Sequence, residues 1–204
     1  MNSKGLLIVI SGPSGSGKGT VVKTLKEMIP DIGVSVSATT RAPRAGEEHG
    51  REYFFIPRES FEEMIENGDI LEHTTYCDNL YGTPRKEAER VLSEGRDLIL
   101  EIEVDGAGQI KKKFPEAIMI MLIPPSLSVL EARLRGRGTE TEEVIQSRLR
   151  RACEEIQLAH DYNYVVVNED GMVGECAEEI IRIMAAEKNT PVMKKDVIDN
   201  FTLR

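Results

Sequence analysis

A nine-residue stretch, Gly12-Pro13-Ser14-Gly15-Ser16-Gly17-Lys18-Gly19-Thr20, limits what this chain can fold into more than any other. The apolar run Leu6-Leu7-Ile8-Val9-Ile10 precedes it and reads as a buried parallel strand, and Val21 to Met28 reads as the helix that follows. Strand, glycine-rich turn and helix N-terminus form the setting in which a G-x-x-x-x-G-K match becomes a phosphate-binding loop. Glycines let consecutive backbone N–H groups converge on phosphate oxygens that side chains would obstruct. The helix N-terminus adds unpaired donors and partial positive charge, and Lys18 adds a full charge for the outer phosphates. The residue after the lysine is ordinarily Ser or Thr, which reaches a magnesium ion. Here it is Gly19, with Thr20 one place later, which narrows the kind of nucleotide site.

A chain of 204 residues is long enough to bury a real core as one α/β domain with inserted subdomains. The longest apolar run, Ala117 to Ile123, stops at Pro124-Pro125 and is far too short to span a membrane. The apolar N-terminal stretch is too short for a signal peptide. Cys77, Cys153 and Cys176 lie far apart, without disulfide or zinc spacing, so a reducing cytoplasmic setting is expected. The formal charge of −9 argues against a general nucleic-acid surface. The arginines nevertheless cluster: Arg41, Arg44, Arg51 and Arg58 in one group, and Arg133, Arg135, Arg137, Arg148, Arg150 and Arg151 in another. Guanidinium forks match phosphate oxygens, so two such groups in an acidic chain point to compact anionic ligands.

Along the chain, Val34 to Ser37 reads as a short strand leading to the polar loop Ala38 to Glu47, where Arg41 and Arg44 have little apolar sequence around them. Exposed loops on a rigid scaffold are where binding residues concentrate. Glu52 to Ile56 and Ile70 to Tyr76 read as strands around a short helix that starts at Pro57 and stops at Gly68. Thr83-Pro84 reads as the N-cap and first residue of a helix running to Glu94. Leu98-Ile99-Leu100 is a second buried strand, whose end carries Glu101 and Glu103. In an open parallel sheet that end borders the ligand crevice. Asp105-Gly106 opens a helix to Phe114, and Ala117 to Ile123 is a third buried strand. Ser126 caps a helix through Leu134 that Gly136-Arg137-Gly138 interrupts, and Thr139 to Glu142 fits a capping box for the next. Helix, glycine-flanked arginine, helix is a composition suited to a flap that closes over phosphates. Tyr164 to Val167 reads as a fourth strand, and the stripe Val173, Ala177, Ile180, Ile181 and Met184 as a core-facing helix.

Four blocks in fixed order carry a family resemblance: Ser11 to Thr20, Val36 to Glu47, Asn79-Leu80-Tyr81-Gly82-Thr83, and Arg135 to Glu140. On these residues the chain resembles a guanylate kinase over essentially its full length. The second block is more diagnostic than the phosphate-binding loop, which many nucleotide-binding families share. The resemblance implies an α/β fold with a P-loop NTPase-type parallel sheet core at 1–36, 84–125 and 156–204. It also implies a mixed α/β GMP-binding insertion at 37–83 and a helical lid at 126–155. It implies transfer of the γ-phosphate of ATP to GMP, giving ADP and GDP, with Mg²⁺ accompanying ATP.

Carried over position by position, the resemblance puts Ser37, Glu72 and Thr83 at the guanine base, and Arg41, Arg44, Tyr53 and Tyr81 at the GMP phosphate. Glu47 positions an arginine, and Glu103 joins the GMP site. Gly12 through Thr20 bind ATP together with Arg137 and with Asn168 near the adenine. Lys18, Arg41, Arg137 and Arg148 are the catalytic set. Thr20 and Glu101 are the candidates near the metal, acting through water. Glu101 and Glu103 stand where some members carry aspartates, and Asp105 where glutamine is common. Guanine presents N1–H and a 2-amino group side by side, which one carboxylate such as Glu72 can accept together. The acceptor phosphate monoester is already largely dianionic at neutral pH, its second pKa being about 6. No general base is required, and His49, His73 and His160 form no catalytic constellation. ATP and GMP are the expected partners, with no nucleic acid, membrane or obligatory protein partner. The competing readings are another nucleoside monophosphate kinase, sharing Lys18-Gly19-Thr20 with a different base-reading set, or a non-catalytic interaction module of the same fold.

Overall fold

The computed structural model describes residues 5–200 except Ala45, Cys77, Arg137, Thr139 and Glu140. The sequence block Leu7–Ser11 forms β1, which is buried along its whole length. The glycine-rich loop follows and leads into α1 (Lys18–Met28), then the short strands β2 (Gly33–Val34), β3 (Ala38–Thr39) and β4 (Phe54–Phe55). Helix α2 (Arg58–Glu66) precedes the hairpin of β5 (Ile70–Tyr76) and β6 (Asn79–Pro84). Next come α3 (Arg85–Ser93), β7 (Leu98–Glu101), α4 (Val104–Lys113) and β8 (Ile118–Ile123). Helices α5 (Leu127–Gly136) and α6 (Glu142–Gln157) are followed by a 3-10 turn at Leu158–Asp161 and β9 (Tyr164–Val167). The chain closes with α7 (Val173–Glu187) and α8 (Lys195–Asp199).

Five strands form one parallel sheet in the order β2-β7-β1-β8-β9. Parallel strands covered on both faces read as unbroken apolar runs, and β1 shows why. Ile8 and Ile10 point into a cluster with Val21 and Leu25 of α1 and Ile180 of α7. Leu7 and Val9 point the opposite way, onto Ala107 and Ile110 of α4. The C-terminal ends of β1 and β7 are in register, Ile10 opposite Glu101. The phosphate-binding loop and the strand-end carboxylate therefore open onto the same crevice. Among the described residues no helix is long and apolar enough to cross a membrane.

A second sheet, ordered β4-β3-β6-β5, lies within residues 38–84 and has its own core of Ala38, Phe61, Ile70 and Leu80. The strand expected over Val34 to Ser37 is divided. Val34 pairs with Ile99 in the large sheet, whereas Ala38 pairs with Gly82 in the small one. The intervening residues carry the chain from one sheet to the other. The strand expected over Glu52 to Ile56 is confined to Phe54 and Phe55. Thr83 is not the cap of α3: the helix begins at Arg85, Pro84 holds the cap position, and the Thr83 hydroxyl donates to Glu72. Ser126 caps the first helix after β8 as expected, its Oγ accepting from Val129 N. The next helix is instead capped by Thr141, whose Oγ1 accepts from Val144 N; Glu142 is then its first residue and not the third, as a capping box opened by Thr139 requires. The Thr139–Glu140 part of that capping box lies outside the described residues. Leu130, Leu134, Ile145, Leu149 and Ala152 bind α5 and α6 together in a small cluster of their own.

Because the small sheet rests on so few large side chains, Phe61, which is wholly buried, dominates its packing. Phe61→Ala should cost about 3–5 kcal/mol, measured as a lower midpoint in urea unfolding. Loss of under 1 kcal/mol would show that the small sheet is held otherwise.

Candidate active site

The phosphate-binding loop is braced from behind by long-range contacts. Gly17, at the N-cap of α1, has φ 95°, and a Cβ there would stand 2.3 Å from Asn168 Nδ2. Glycine at this position lets the Asn168 amide approach and donate to Ser16 O at 2.8 Å. Arg133 donates to Asn168 O at 2.7 Å and to Ser16 O at 3.3 Å, and is itself held by Asp170 at 2.6 Å. Asn168, expected near adenine, is thus buried with its amide committed to the loop; in this geometry it supports the loop. Arg133 stood in the second arginine cluster without a role of its own, and only its distant partners reveal one. Lys18 Nζ curls onto Gly12 O at 2.6 Å and lies 3.7 Å from Glu103 Oε1.

Arg41 is fixed before any ligand arrives. Its two terminal nitrogens donate to the Glu47 carboxylate at 2.9 and 3.0 Å, and its guanidinium sits 5.5 Å from the Tyr53 ring centre and 5.6 Å from that of Phe55. Tyr81 stands beside it and meets Tyr53 edge to face at 5.9 Å. The Glu47 hydrogen bonds push the Arg41 guanidinium further up, and Arg41 in turn holds the Glu47 carboxyl below its ordinary value. Glu47 also accepts from Arg44 N at 2.7 Å, while the Arg44 side chain remains exposed. One carboxylate therefore organises the loop that carries both arginines.

Glu72 is the most unusual ionisable group. It is 2% exposed, and the Thr83 hydroxyl, itself fully buried, donates to its Oε1 at 2.8 Å. Burial pushes its carboxyl up to about 7, against the opposing pull of the Thr83 bond. Thr83 acts on this carboxylate from behind.

A cleft of about 430 Å³ joins these parts, lined among others by Ser14 and Lys18 of the loop, Ser37, Tyr53, Glu72 and Tyr81 of the small-sheet region, Glu101, Glu103, and Arg148 of α6. Arg148 donates to Ser14 Oγ at 2.7 Å and to Tyr76 Oη at 2.9 Å, so it bridges the loop and the tip of β5. Arg137, expected to act with it, lies outside the described residues. Burial raises the Glu101 carboxyl, and a Cβ on Gly19 would lie 3.4 Å from its Oε1. A Cβ at residue 19 would thus only touch that carboxylate, and Thr20 is exposed. Asp105 accepts from Arg151 at 3.4 Å, and Arg151 also holds the buried Glu155 at 2.7 Å. Ser35, not foreseen in the sequence, lines the cleft with a buried Oγ that has no hydrogen-bond partner among the described residues.

Comparison with known proteins bears on this arrangement. Residues 4–187 match the guanylate kinase family model. A guanylate kinase of Clostridioides difficile is 51% identical over 96% of this chain and 94% of its own length. One of Halalkalibacterium halodurans is 51% identical over 90% of this chain and 89% of its own. The crystal structure of guanylate kinase from Anaplasma phagocytophilum superposes with a TM-score of 0.74 at 36% identity, covering 92% of this chain and 88% of that one.

A carboxyl whose value rises on folding binds its proton more tightly in the folded state. Its stability cost is therefore absent below the ordinary 4.5 and complete above about 7. Over that interval the cost approaches about 3 kcal/mol. Glu72→Gln should accordingly be more stable than the wild type by about 1–3 kcal/mol at pH 8, with the difference vanishing near pH 4, in paired urea titrations. An identical difference at both pH values would contradict the buried, proton-binding carboxyl.

Proposed function

This chain belongs to the guanylate kinase family, and from that premise we propose how its residues carry out ATP:GMP phosphotransfer. As a guanylate kinase it moves the γ-phosphate of ATP to GMP, giving ADP and GDP. The observation that carries the residue-level reading is Glu72, a buried carboxylate that opens onto the cleft containing Lys18. Its two oxygens accept guanine N1–H and the 2-amino group together. Adenine offers an acceptor at N1 and no 2-amino group, which leaves the desolvated carboxylate unpaired and supports discrimination on the order of 10⁴. Ser37 flanks the base, Thr83 holds Glu72, and Arg41, Arg44, Tyr53 and Tyr81 take the GMP phosphate, with Glu47 presetting Arg41.

The chemistry needs no base, because the attacking oxygen belongs to a phosphate that is already largely dianionic. The task is to bring two anions into line, offset their repulsion and exclude water. The amides of Gly12 to Thr20 and Lys18 receive the donor phosphates, Lys18 leaving Gly12 O to do so. Arg148, released from Ser14 and Tyr76, closes with Arg137 over the transferring group. In this reading residues 37–83 form the GMP-binding part and 126–155 the lid, on a core of 1–36, 84–125 and 156–204. The small separate cores within 38–84 and across α5 and α6 support that division.

Magnesium fits the oxygen donors here. Mg²⁺ keeps several waters and binds one or two carboxylates plus substrate phosphates rather than an all-protein cage. The described residues contain no cluster of three or more His, Cys, Asp or Glu that would form such a cage, and Glu101 overhangs Gly19 at the loop. Glu101, with Thr20 and Glu103 through water, would hold the ion, which when bound neutralises charge on the donor phosphates. The free thiols of Cys153 and Cys176 suit a reducing, cytoplasmic compartment.

A coupled assay with ATP and, in turn, GMP, AMP, UMP and CMP tests the reading. The expected result is a kcat/KM for GMP at least about 10³-fold above any other acceptor. Comparable turnover with AMP would overturn the assignment of Glu72.

A further inference from the structure

We infer that helix α4, through Gly106, Gln109 and Lys113, positions Glu72 and so sets guanine selectivity, an inference that rests on Glu72 being the guanine reader. The sheet does not hold this residue by regular pairing. In the β5–β6 hairpin Ile70 faces Pro84 and His73 faces Gly82, so Leu71 and Glu72 together oppose the single residue Thr83. Such a bulge breaks the ladder and re-aims a side chain. What the ladder fails to supply, α4 supplies. Lys113 Nζ donates to Leu71 O at 2.6 Å. Gln109 takes both backbone groups of the residue on the other side, donating to His73 O at 2.7 Å and accepting from His73 N at 3.2 Å. The backbone is thus gripped immediately before and immediately after Glu72 by one helix of the core.

Gly106 does the rest by having no side chain. A Cβ there would stand 2.2 Å from Glu72 Oε2, far inside any real contact, and 3.0 Å from its Cδ, so the carboxylate would have to move. Glycine is a poor residue inside a helix, and nothing in the backbone of α4 asks for one, since Gly106 is not among the residues of positive φ. The space it leaves is the space the carboxylate occupies. Glu72 is therefore confined on one side by Thr83, at 2.8 Å, and on the other by the bare backbone of α4. Gly106, Gln109 and Lys113 are positioning residues: they act on guanine through Glu72.

The test is a double-mutant cycle of Gly106→Ala and Glu72→Gln, read as KM for GMP, KM for ATP and the ratio of kcat/KM for GMP over IMP, which lacks the 2-amino group. Gly106→Ala should raise KM for GMP about tenfold or more and lower the GMP/IMP ratio, with KM for ATP within about twofold of wild type. In the Glu72→Gln background the same substitution should change KM for GMP less than about twofold, because the group it displaces no longer reads the base. Equal effects in both backgrounds, or a wild-type KM for GMP in Gly106→Ala, would overturn the inference. If Glu72→Gln itself leaves GMP kinetics unchanged, the guanine reading falls and this inference with it; if Glu72→Gln is impaired and Gly106→Ala is not, only the role of α4 falls. Gln109→Met serves if Gly106→Ala fails to fold. Raised KM for GMP at unchanged KM for ATP supports the inference, and wild-type values for both overturn it.

Discussion

A carboxylate kept almost wholly out of water is expensive for a protein to hold, and the small sheet and its neighbours can be understood from how they hold Glu72. Burial alone favours the protonated form, which is why its carboxyl is pushed up to about 7. In the proposed reading guanine presents two donors, which a protonated carboxyl cannot both accept, so binding would draw the group into its ionised form. The Thr83 hydroxyl already favours that form, and guanine adds two further donors. Burial thus holds the group short of full ionisation, and in that reading guanine supplies what is missing. An incorrect base supplies less, and the unmet cost of the buried charge becomes selectivity.

The phosphate side follows a different physical logic. Two anions must approach within bonding distance, so positive groups have to be placed beforehand and still be able to move. Arg41, proposed to take the acceptor phosphate, is fixed by Glu47, which offsets part of its charge. Lys18 and Arg148 are instead parked on nearby oxygens, Gly12 O in one case and Ser14 Oγ with Tyr76 Oη in the other. The oxygens of Gly12, Ser14 and Tyr76 are neutral acceptors, which a phosphate can replace, while Glu103 stands 3.7 Å from the Lys18 ammonium. The loop itself is kept rigid from behind by Asn168 and Arg133, so its amides are ready without reorganising.

Much of this was legible in the chain because local pattern and local structure agree. The unbroken apolar runs of β1, β7 and β8 read correctly as covered parallel strands, and the glycine-lysine turn after the first does border the cleft. Where the pattern failed, a distant contact had overridden it. Val34 to Ser37 looked like one strand because its alternation continues while the chain passes from one sheet to another. Thr83 looked like a helix cap, but the buried Glu72 claims its hydroxyl. Asn168 and Arg133 lie over a hundred positions from the loop they brace, and Gln109 lies 36 from His73. No spacing rule reaches that far. The bulge at Leu71–Glu72 is equally silent in sequence, since it depends on the partner strand being one residue short.

The most direct test is a crystal structure with GMP bound. The account predicts both Glu72 carboxylate oxygens within about 3.2 Å of guanine N1 and its 2-amino nitrogen, with Thr83 still bonded behind. A base seated in the cleft with Glu72 more than about 4 Å from either nitrogen would contradict it, and the specificity of this kinase would have to reside elsewhere.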